Sequence, residues 1–486
     1  MARVAFCQDV LIEYMGFMSM AAVLKQKGHE VEVFFDDQTN RQAYLNQLKA
    51  YAPQVVGLSL LSPSVSWALE LAPLLKRETG AVVILGNVAA ILDPGLIQQP
   101  GVDALCLGEG EAPLLELCQR LDQGLPFDDI ASLVVKTPQG IRKNPLGPLA
   151  DLETLPFLDR SLYDKFSFFK NSPYLRLNLG RGCPYHCTFC TNAFLKRHYG
   201  GSYLRKMSPE RAVAEVEHQV RRYRPKYLMF IDEVLWFSNG WLREFLRLYK
   251  ERVGLKFVAN YRWGPISEEE MRLLAESGAD AMILAVETGD QDKRTKVFRK
   301  NVKDQEVIRV ADLMRKYGIK FCVSQFFGLP GDTIPGHLEQ LKFYRRLRPT
   351  YLWTTFYQPY PGTALAEDEL VKACLPDTKD FGLTLHSEMY LNLPDKQRWL
   401  NLKKVYFLLA AFPKAAPLLV RLTRHRVPLL FDLLFMAHFT YYALLFEKVS
   451  ARQLWHHFQQ FTLLPALRKL RKSLPGLGAG RGPSSA

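Results

Sequence analysis

With 486 residues, 48% of them hydrophobic and 23% charged, the chain is too long for one compact core and too apolar for a disordered or fibrous protein. Its formal charge of +14 does not point to nucleic acid: residues 401–472 hold twelve Lys and Arg against only Asp432 and Glu447, and long aliphatic runs separate them. Asp9 and Glu13 fall inside what would have to be an apolar export signal, so a cytoplasmic protein is expected. Five scattered cysteines (Cys7, Cys106, Cys118, Cys322, Cys374) lack the density of a disulfide scaffold.

In chain order, short apolar runs at 3–8, 30–35, 55–61, 81–87 and 104–110 alternate with helical patterns at 17–27, 41–51 and 64–78. This predicts an α/β domain over 1–143, a doubly wound Rossmann or flavodoxin-like sheet. Ligands of such sheets sit outside the carboxyl ends of the strands, where the loops here read "QDVLIEYMG", "LLSPS", "GNVAA" and "LGEGEA". Small residues there let backbone approach a large flat ligand. A Pro- and Leu-punctuated connector, 144–172, leads to a second series over 173–375. Its strands are expected at 174–180, 226–232, 256–262, 281–287, 320–327 and 351–357, with helices at 208–223, 240–252, 267–277, 302–317 and 335–347. Six such units make a partial barrel, whose chemistry gathers at the C-terminal ends of the strands. Residues 376–472 read as a helical, basic C-terminal region and 473–486 as a disordered Gly/Pro/Ser tail. Within it, residues 427–446 are long enough to cross a bilayer, but Pro428, Asp432 and His438 interrupt them, so a buried or interfacial helix is expected.

The first barrel strand runs into "LGRGCPYHCTFCTN", with Cys183, Cys187 and Cys190 inside eight positions. Thiols at this density hold a metal. Zinc could take Cys183, His186, Cys187 and Cys190, although zinc motifs usually come as two separated pairs and no second pair exists. A [4Fe-4S] cluster commonly takes four cysteines, so three would leave one iron open. The spacing, with Phe189 before the last cysteine, resembles the radical S-adenosylmethionine (radical SAM) enzymes. The resemblance implies that the open iron binds the SAM methionine and that reductive cleavage gives a 5′-deoxyadenosyl radical, fed by an external one-electron reductant such as flavodoxin or ferredoxin. It also implies SAM contacts from Phe189, from Asp232 or Glu233 in "FIDEVLW", from Glu287 in "VETG", and from Gly328 and Gly331 in "FFGLPGDT". "YQPYPGT" (357–363) resembles the loop after the last strand. Plain readings stay open: a helix N-cap for Asp232, a buried structural partner for Glu287, and a Pro-Gly turn at 330–331. Arg205 and Arg262 are carboxylate partners or merely solvated.

The N-terminal sheet resembles the cobalamin-binding domain that precedes the radical SAM barrel in one large subfamily. That resemblance nominates Asp9, Tyr14, Gly16, Ser59, Ser62, Gly86, Asn87, Gly108, Glu109, Gly110 and Glu111 as cobalamin contacts; the alternative is a bare docking domain. No Asp-x-His-x-x-Gly motif occurs, and His29 precedes the second strand. Cobalt without a protein histidine ligand is expected. With a cluster, SAM and cobalamin the leading reading is methyl transfer to an unactivated carbon or phosphorus of a small-molecule or lipid-like substrate, a second SAM remethylating cobalt. Alternatives are a cyclase or rearrangement enzyme with the same cofactors, or a non-catalytic cobalamin or redox sensor. The substrate is expected to come from the C-terminal region, whose basic, aromatic helices suit a lipid substrate or peripheral membrane association, or form a helical lid over the barrel.

Overall fold

The computed structural model describes residues 1–170, 172–200, 203–235, 238–376, 389–448 and 455; the tail expected to be disordered, 473–486, lies outside them. Five parallel strands, β1 (Arg3–Gln8), β2 (Glu30–Phe35), β3 (Val55–Ser59), β4 (Val82–Gly86) and β5 (Ala104–Cys106), build the first sheet. They alternate with α1 (Met15–Gln26), α2 (Arg41–Tyr51), α3 (Val65–Thr79), α4 (Val88–Leu92) and α5 (Glu111–Asp122). The order is β2-β1-β3-β4-β5, so the chain reverses direction across the sheet between β1 and β3, where a ligand crevice is expected. An antiparallel hairpin, β6 (Leu133–Thr137) and β7 (Gly140–Lys143), extends the far edge. The sequence pattern missed it because β7 is exposed throughout and carries no apolar alternation. The last parallel strand stops at Cys106, short of the expected 110, because the Gly108–Gly110 turn leads straight into α5.

The connector is packed rather than loose. In its 3-10 turn Arg160–Tyr163, Arg160 is buried in an ion pair with Glu13 and donates to the Arg176 carbonyl at 2.6 Å. The Tyr163 hydroxyl donates to Gln8 Oε1 at 2.8 Å and accepts from the Tyr14 amide at 3.0 Å. A short helix α6 (Ser167–Lys170) follows.

The second sheet is parallel throughout, in the order β8-β11-β12-β13-β14-β15. Its strands are β8 (Tyr174–Leu177), β11 (Tyr227–Phe230), β12 (Lys256–Tyr261), β13 (Ala279–Glu287), β14 (Lys320–Phe327) and β15 (Tyr351–Phe356); a two-residue pair, β9 (Gly180–Arg181) with β10 (Arg205–Lys206), lies outside it. Helices α7 (Thr191–His198), α8 (Pro209–Tyr223), α9 (Asn239–Arg252), α10 (Glu268–Glu276), α11 (Gln291–Lys296), α12 (Asp304–Lys316) and α13 (Ile334–Leu347) intervene. Ser208 before Pro209 and the Ser267/Glu270 capping box show why α8 and α10 start where they do. Alternate strand residues such as Leu228, Phe230, Phe257 and Met282 pack under the helices, while Val258, Ala281 and Cys322 face the other way.

That other face determines the place of the C-terminal helices α14 (Glu369–Lys372), α15 (Lys396–Ala411), α16 (Ala416–Leu422) and α17 (Pro428–Tyr442). Tyr442 and Phe446 cluster with Val258, Ala281, Cys322 and Tyr351, all in the first halves of their strands. The end of α17 therefore plugs the strand-start side of the barrel. α17 is thus packed against the barrel at the end opposite the cysteine loop and forms no part of a lid over that loop.

Candidate active site

The cysteine loop leaves β8, passes through β9 and enters α7 at Cys190. Other strand-end loops hold it. The Thr188 amide and hydroxyl donate to the carbonyls of Phe298 (3.2 Å) and Val297 (2.6 Å), and the Thr188 carbonyl accepts from Leu365 at 2.9 Å. Arg197 donates to the Gly362 carbonyl at 2.9 Å. Cys183, Cys187 and Cys190 are free thiols, half-buried on one loop, and the Cys190 amide donates to the Cys187 carbonyl at 3.1 Å. Burial raises the Cys183 thiol, and burial pushes Cys190 up to about 11, the nearby Cys187 adding to both. The Asn192 amide reaches the Cys190 sulfur at 3.8 Å.

This donor set fits a cluster better than zinc. His186, the fourth ligand a zinc site needs, is exposed and lies 3.1 Å from Lys196 Nζ. Among the described residues no three His, Cys, Asp or Glu side chains gather at the distances of one shared ion; zinc–sulfur bonds of about 2.3 Å would demand it. Thiols spaced around a larger polynuclear centre need not converge so closely.

The nominated SAM residues separate into two groups. Asp232 is buried, accepts from the Leu179 amide at 3.0 Å and pairs with Lys206. These contacts brace the start of the cysteine loop, and no helix begins at Asp232 for it to cap. Glu233 instead opens on a cavity; burial raises its carboxyl, while a hydrogen bond with Asn192 works against that shift. Its charge is felt at Cys183. Glu287 is the buried structural partner: it pairs with Lys300 Nζ at 2.8 Å. It also sits at φ +68° beside a register shift of β13, strain of the kind stored at functional sites. Phe189 packs edge-on to Phe298 and Phe326 in a small core. Gly328 and Gly331 both adopt left-handed φ, +79° and +80°, so the "GLPGD" turn needs them for its own geometry. Arg205 is a carboxylate partner within the chain: it pairs with Glu109 and donates to the Ala150 carbonyl. Arg262 stays beside the loop, its guanidinium 3.1 Å from the centre of the Tyr185 ring.

A cavity of 510 Å³ lies between the first sheet and the barrel. Tyr14, Gly16, Ser59, Gly86, Asn87, Gly108, Glu109, Gly110 and Glu111 line one side, and Asn178, Gly182, Tyr199, Tyr203, Ile231 and Glu233 the other. The loops after β1 and β3, at the reversal of strand order, thus reach it as expected. Gly16 has nothing within 4 Å of where a Cβ would stand, and the buried Tyr14 hydroxyl has no partner, so the wall offers an open backbone and an unused polar group to an occupant. Asn87 donates to Ser59 Oγ at 3.0 Å. Asp9 accepts from Ser64 Oγ at 2.8 Å and does not line the cavity; the Ser62 side chain lies outside the described residues. Gly108 and Gly110 are small for internal reasons, since a Cβ would collide with Ser132 and Met20.

Glu109 and Glu111 line the cavity and are at the same time held by cations. Arg181 binds both, at 3.1 Å and 2.5 Å, and the Ser19 hydroxyl donates to Glu111 at 2.5 Å. Burial pushes Glu111 up, but the Arg181 charge and these hydrogen bonds outweigh it and hold the carboxyl below its ordinary value. These residues clamp the two domains together. Arg181, Lys206 and Lys300 were not singled out in the sequence, because nothing local marks a lone basic residue as a partner for a carboxylate many positions away. No histidine lines the cavity, and His29 Nδ1 accepts from the Ala2 amide at the opposite end of the sheet.

Residues 177–341 match the radical SAM superfamily, and residues 8–118 match the B12 binding domain. The chain is an enzyme that carries a radical SAM domain and a B12-binding domain. Its cofactors are a [4Fe-4S] cluster and SAM at the barrel and cobalamin at the N-terminal sheet. The radical SAM chain is 27% identical to the cytidylyl-2-hydroxyethylphosphonate methyltransferase of Streptomyces wedmorensis, over 65% of this chain and 69% of that one. It is 24% identical to the anaerobic magnesium-protoporphyrin IX monomethyl ester cyclase of Rubrivivax gelatinosus, over 72% and 65%. Its fold matches the radical SAM methyltransferase TsrM of Kitasatospora setae with TM-score 0.63 at 19% identity, covering 75% of this chain and 76% of that one.

Proposed function

We propose that this enzyme transfers a methyl group to an unactivated carbon or phosphorus of a small or lipid-like substrate. One observation carries the reading: the ligand edge of the B12-binding sheet and the Glu233 side of the cysteine loop share one 510 Å³ cavity. When bound, the cluster with SAM supplies hydrogen abstraction from an inert centre, and cobalamin supplies a methyl carrier facing the same space. A methyltransferase-named relative is in keeping with this.

In this reading Cys183, Cys187 and Cys190 hold the cluster. Asp232 and Thr188 keep their loop in place, through the Leu179 amide and the carbonyls after β13. Glu233 and Arg262 are the charged groups beside the open side of the loop, suited to an amino and a carboxylate group respectively. Tyr14 and the stacked pair Tyr199 and Tyr203, 5.2 Å apart, wall the cavity and exclude water. No histidine is among the described residues of the lining, in keeping with a cobalamin that would be held without an imidazole from this chain. An external one-electron reductant and a cytoplasmic setting complete the reading.

The test is anaerobic reconstitution with all three cofactors, incubation of a cell extract with SAM bearing a deuterated methyl group, and mass spectrometry. A product carrying one deuterated methyl supports methyl transfer. Consumption of SAM with no labelled carbon in any product would assign a cyclase or rearrangement instead, as a cyclase-named relative illustrates. Reduced, cluster-loaded protein that cleaves no SAM would reduce it to a sensing module.

A further inference from the structure

The C-terminal helices carry an apolar face that nothing covers among the described residues. On α17, Phe431, His438 and Tyr442 are buried. The opposite stripe, Leu429, Leu433, Tyr441 and then Leu444, follows helical spacing and is exposed, 71% at Leu429. Phe412 and Leu418 are exposed on the neighbouring segment, Leu418 by 63%. Scattered apolar side chains are normal on a protein surface; a continuous stripe is not.

Charge identifies the partner. Lys414, Arg421, Arg424 and Arg426 are exposed on the same stretch, and none pairs with a carboxylate among the described residues. Arg424 and Arg426, with Lys396 and Arg398, line an open groove of 630 Å³ in which Asp395 is the one acid. Buried Asn401 fixes this turn by donating to the carbonyls of Thr423 and His425, each at 3.0 Å. The arginines are therefore presented from a braced turn rather than a loose one. With the π-helical turn Ala443–Glu447 that continues it, α17 makes a helical segment of 20 residues, Pro428–Glu447, long and apolar enough to span a bilayer, with mean hydropathy 1.6. Spanning would require it to leave the fold, and polar bonds hold it there: His438 lies 2.7 Å from the Tyr351 hydroxyl and 2.8 Å from the Lys404 carbonyl, and Asp432 pairs with Lys404.

We propose that this face docks on an anionic phospholipid bilayer, the leucines entering the acyl boundary and the arginines meeting headgroup phosphates. The proposal is independent of the reaction type, since no cysteine-loop or cavity residue belongs to this face.

The experiment is flotation of the full-length, anaerobically purified protein with phosphatidylcholine vesicles, with and without phosphatidylglycerol. Binding to the anionic vesicles alone is expected, released in about 1 M salt, where screening shortens to about 3 Å. Arg424→Gln with Arg426→Gln should weaken binding about 25-fold, roughly fivefold per charge. Leu429→Glu with Leu433→Glu should abolish it; both pairs should keep wild-type thermal unfolding and SAM cleavage. Flotation that ignores lipid charge, or no flotation, overturns the proposal. So does a concentration-dependent dimer that the leucine pair dissolves while vesicles stay unbound, which would make this face a contact between copies.

Discussion

Arg181 stands two residues before Cys183 and bridges Glu109 and Glu111 across the domain boundary. Replacing it by Met keeps the bulk and removes the charge. Glu109 retains Arg205 and the Ala150 amide, but Glu111, 6% exposed, keeps only uncharged donors, the Ser19 hydroxyl and its own backbone amide. Breaking a buried pair from one side costs roughly 3–5 kcal/mol. Because the Arg181 side chain is 26% exposed, the low end applies, about 3 kcal/mol. The sign with pH follows from Glu111. In the wild type its carboxyl is held below its unfolded value, so its contribution is present above that value and is lost as pH falls through the folded one. In the variant the Arg181 charge no longer offsets burial, so the carboxyl rises relative to wild type. The gap between the two proteins should be widest at pH 7–8 and narrow toward pH 4.5. Urea unfolding followed by tryptophan fluorescence at both ends of that range reads it, and adding Glu111→Gln should restore most of the loss at neutral pH. A cost under about 1 kcal/mol at pH 7.5, or no rescue by the amide, would refute the clamp.

Cys187→Ala should abolish SAM cleavage and leave the iron content and the visible absorption of a cubane below wild type, measured after anaerobic reconstitution. Asp232→Asn should lower stability by about 3 kcal/mol, because Lys206 is left buried without a counter-charge, whereas Glu233→Gln should leave unfolding unchanged and raise the KM for SAM. Burial lowers His438 to about 4, despite its hydrogen bond to the Lys404 carbonyl, so it stays neutral in the fold while the unfolded chain takes up a proton below about 6.5. Stability should therefore fall by about 3 kcal/mol as pH drops from 6.5 to 4, and His438→Gln should flatten that slope in unfolding curves taken across the range.

All eleven parallel strands, and the longer helices between them except α5, were legible because strands buried on both faces read as unbroken Val, Ile and Leu runs, as in "VVILG" and "VVGLS". The three thiols were legible because their spacing is local. What escaped was set by partners far apart in sequence: Arg181 with Glu111, Arg205 with Glu109, Lys300 with Glu287. An isolated carboxylate in a loop at a ligand edge reads as a ligand contact until the cation that claims it is located. The role of α17 escaped for a related reason. Its composition is strongly apolar overall, and the partners that show which side is packed, Val258, Ala281, Cys322 and Tyr351, lie far away in sequence.

The Asp232 and Glu233 pair shows that some of this was recoverable. Side chains alternate along an extended strand. Leu228 and Phe230 in β11 pack under the helices, whereas Met229 belongs to the opposite face. Continuing the parity past the end of β11 puts Asp232 with Leu228 and Phe230, away from the cavity, and Ile231 and Glu233 with Met229, toward it. The structure places them so: Ile231 and Glu233 line the cavity, and Asp232 turns to the Leu179 amide. The same rule would fail at Glu287, where the register of β13 against β14 shifts between Ala285 and Glu287 and φ turns positive. Parity therefore assigns a strand-end carboxylate only where the ladder stays regular. At Glu287 the break turns the carboxylate onto Lys300, which alternation along the strand does not foretell.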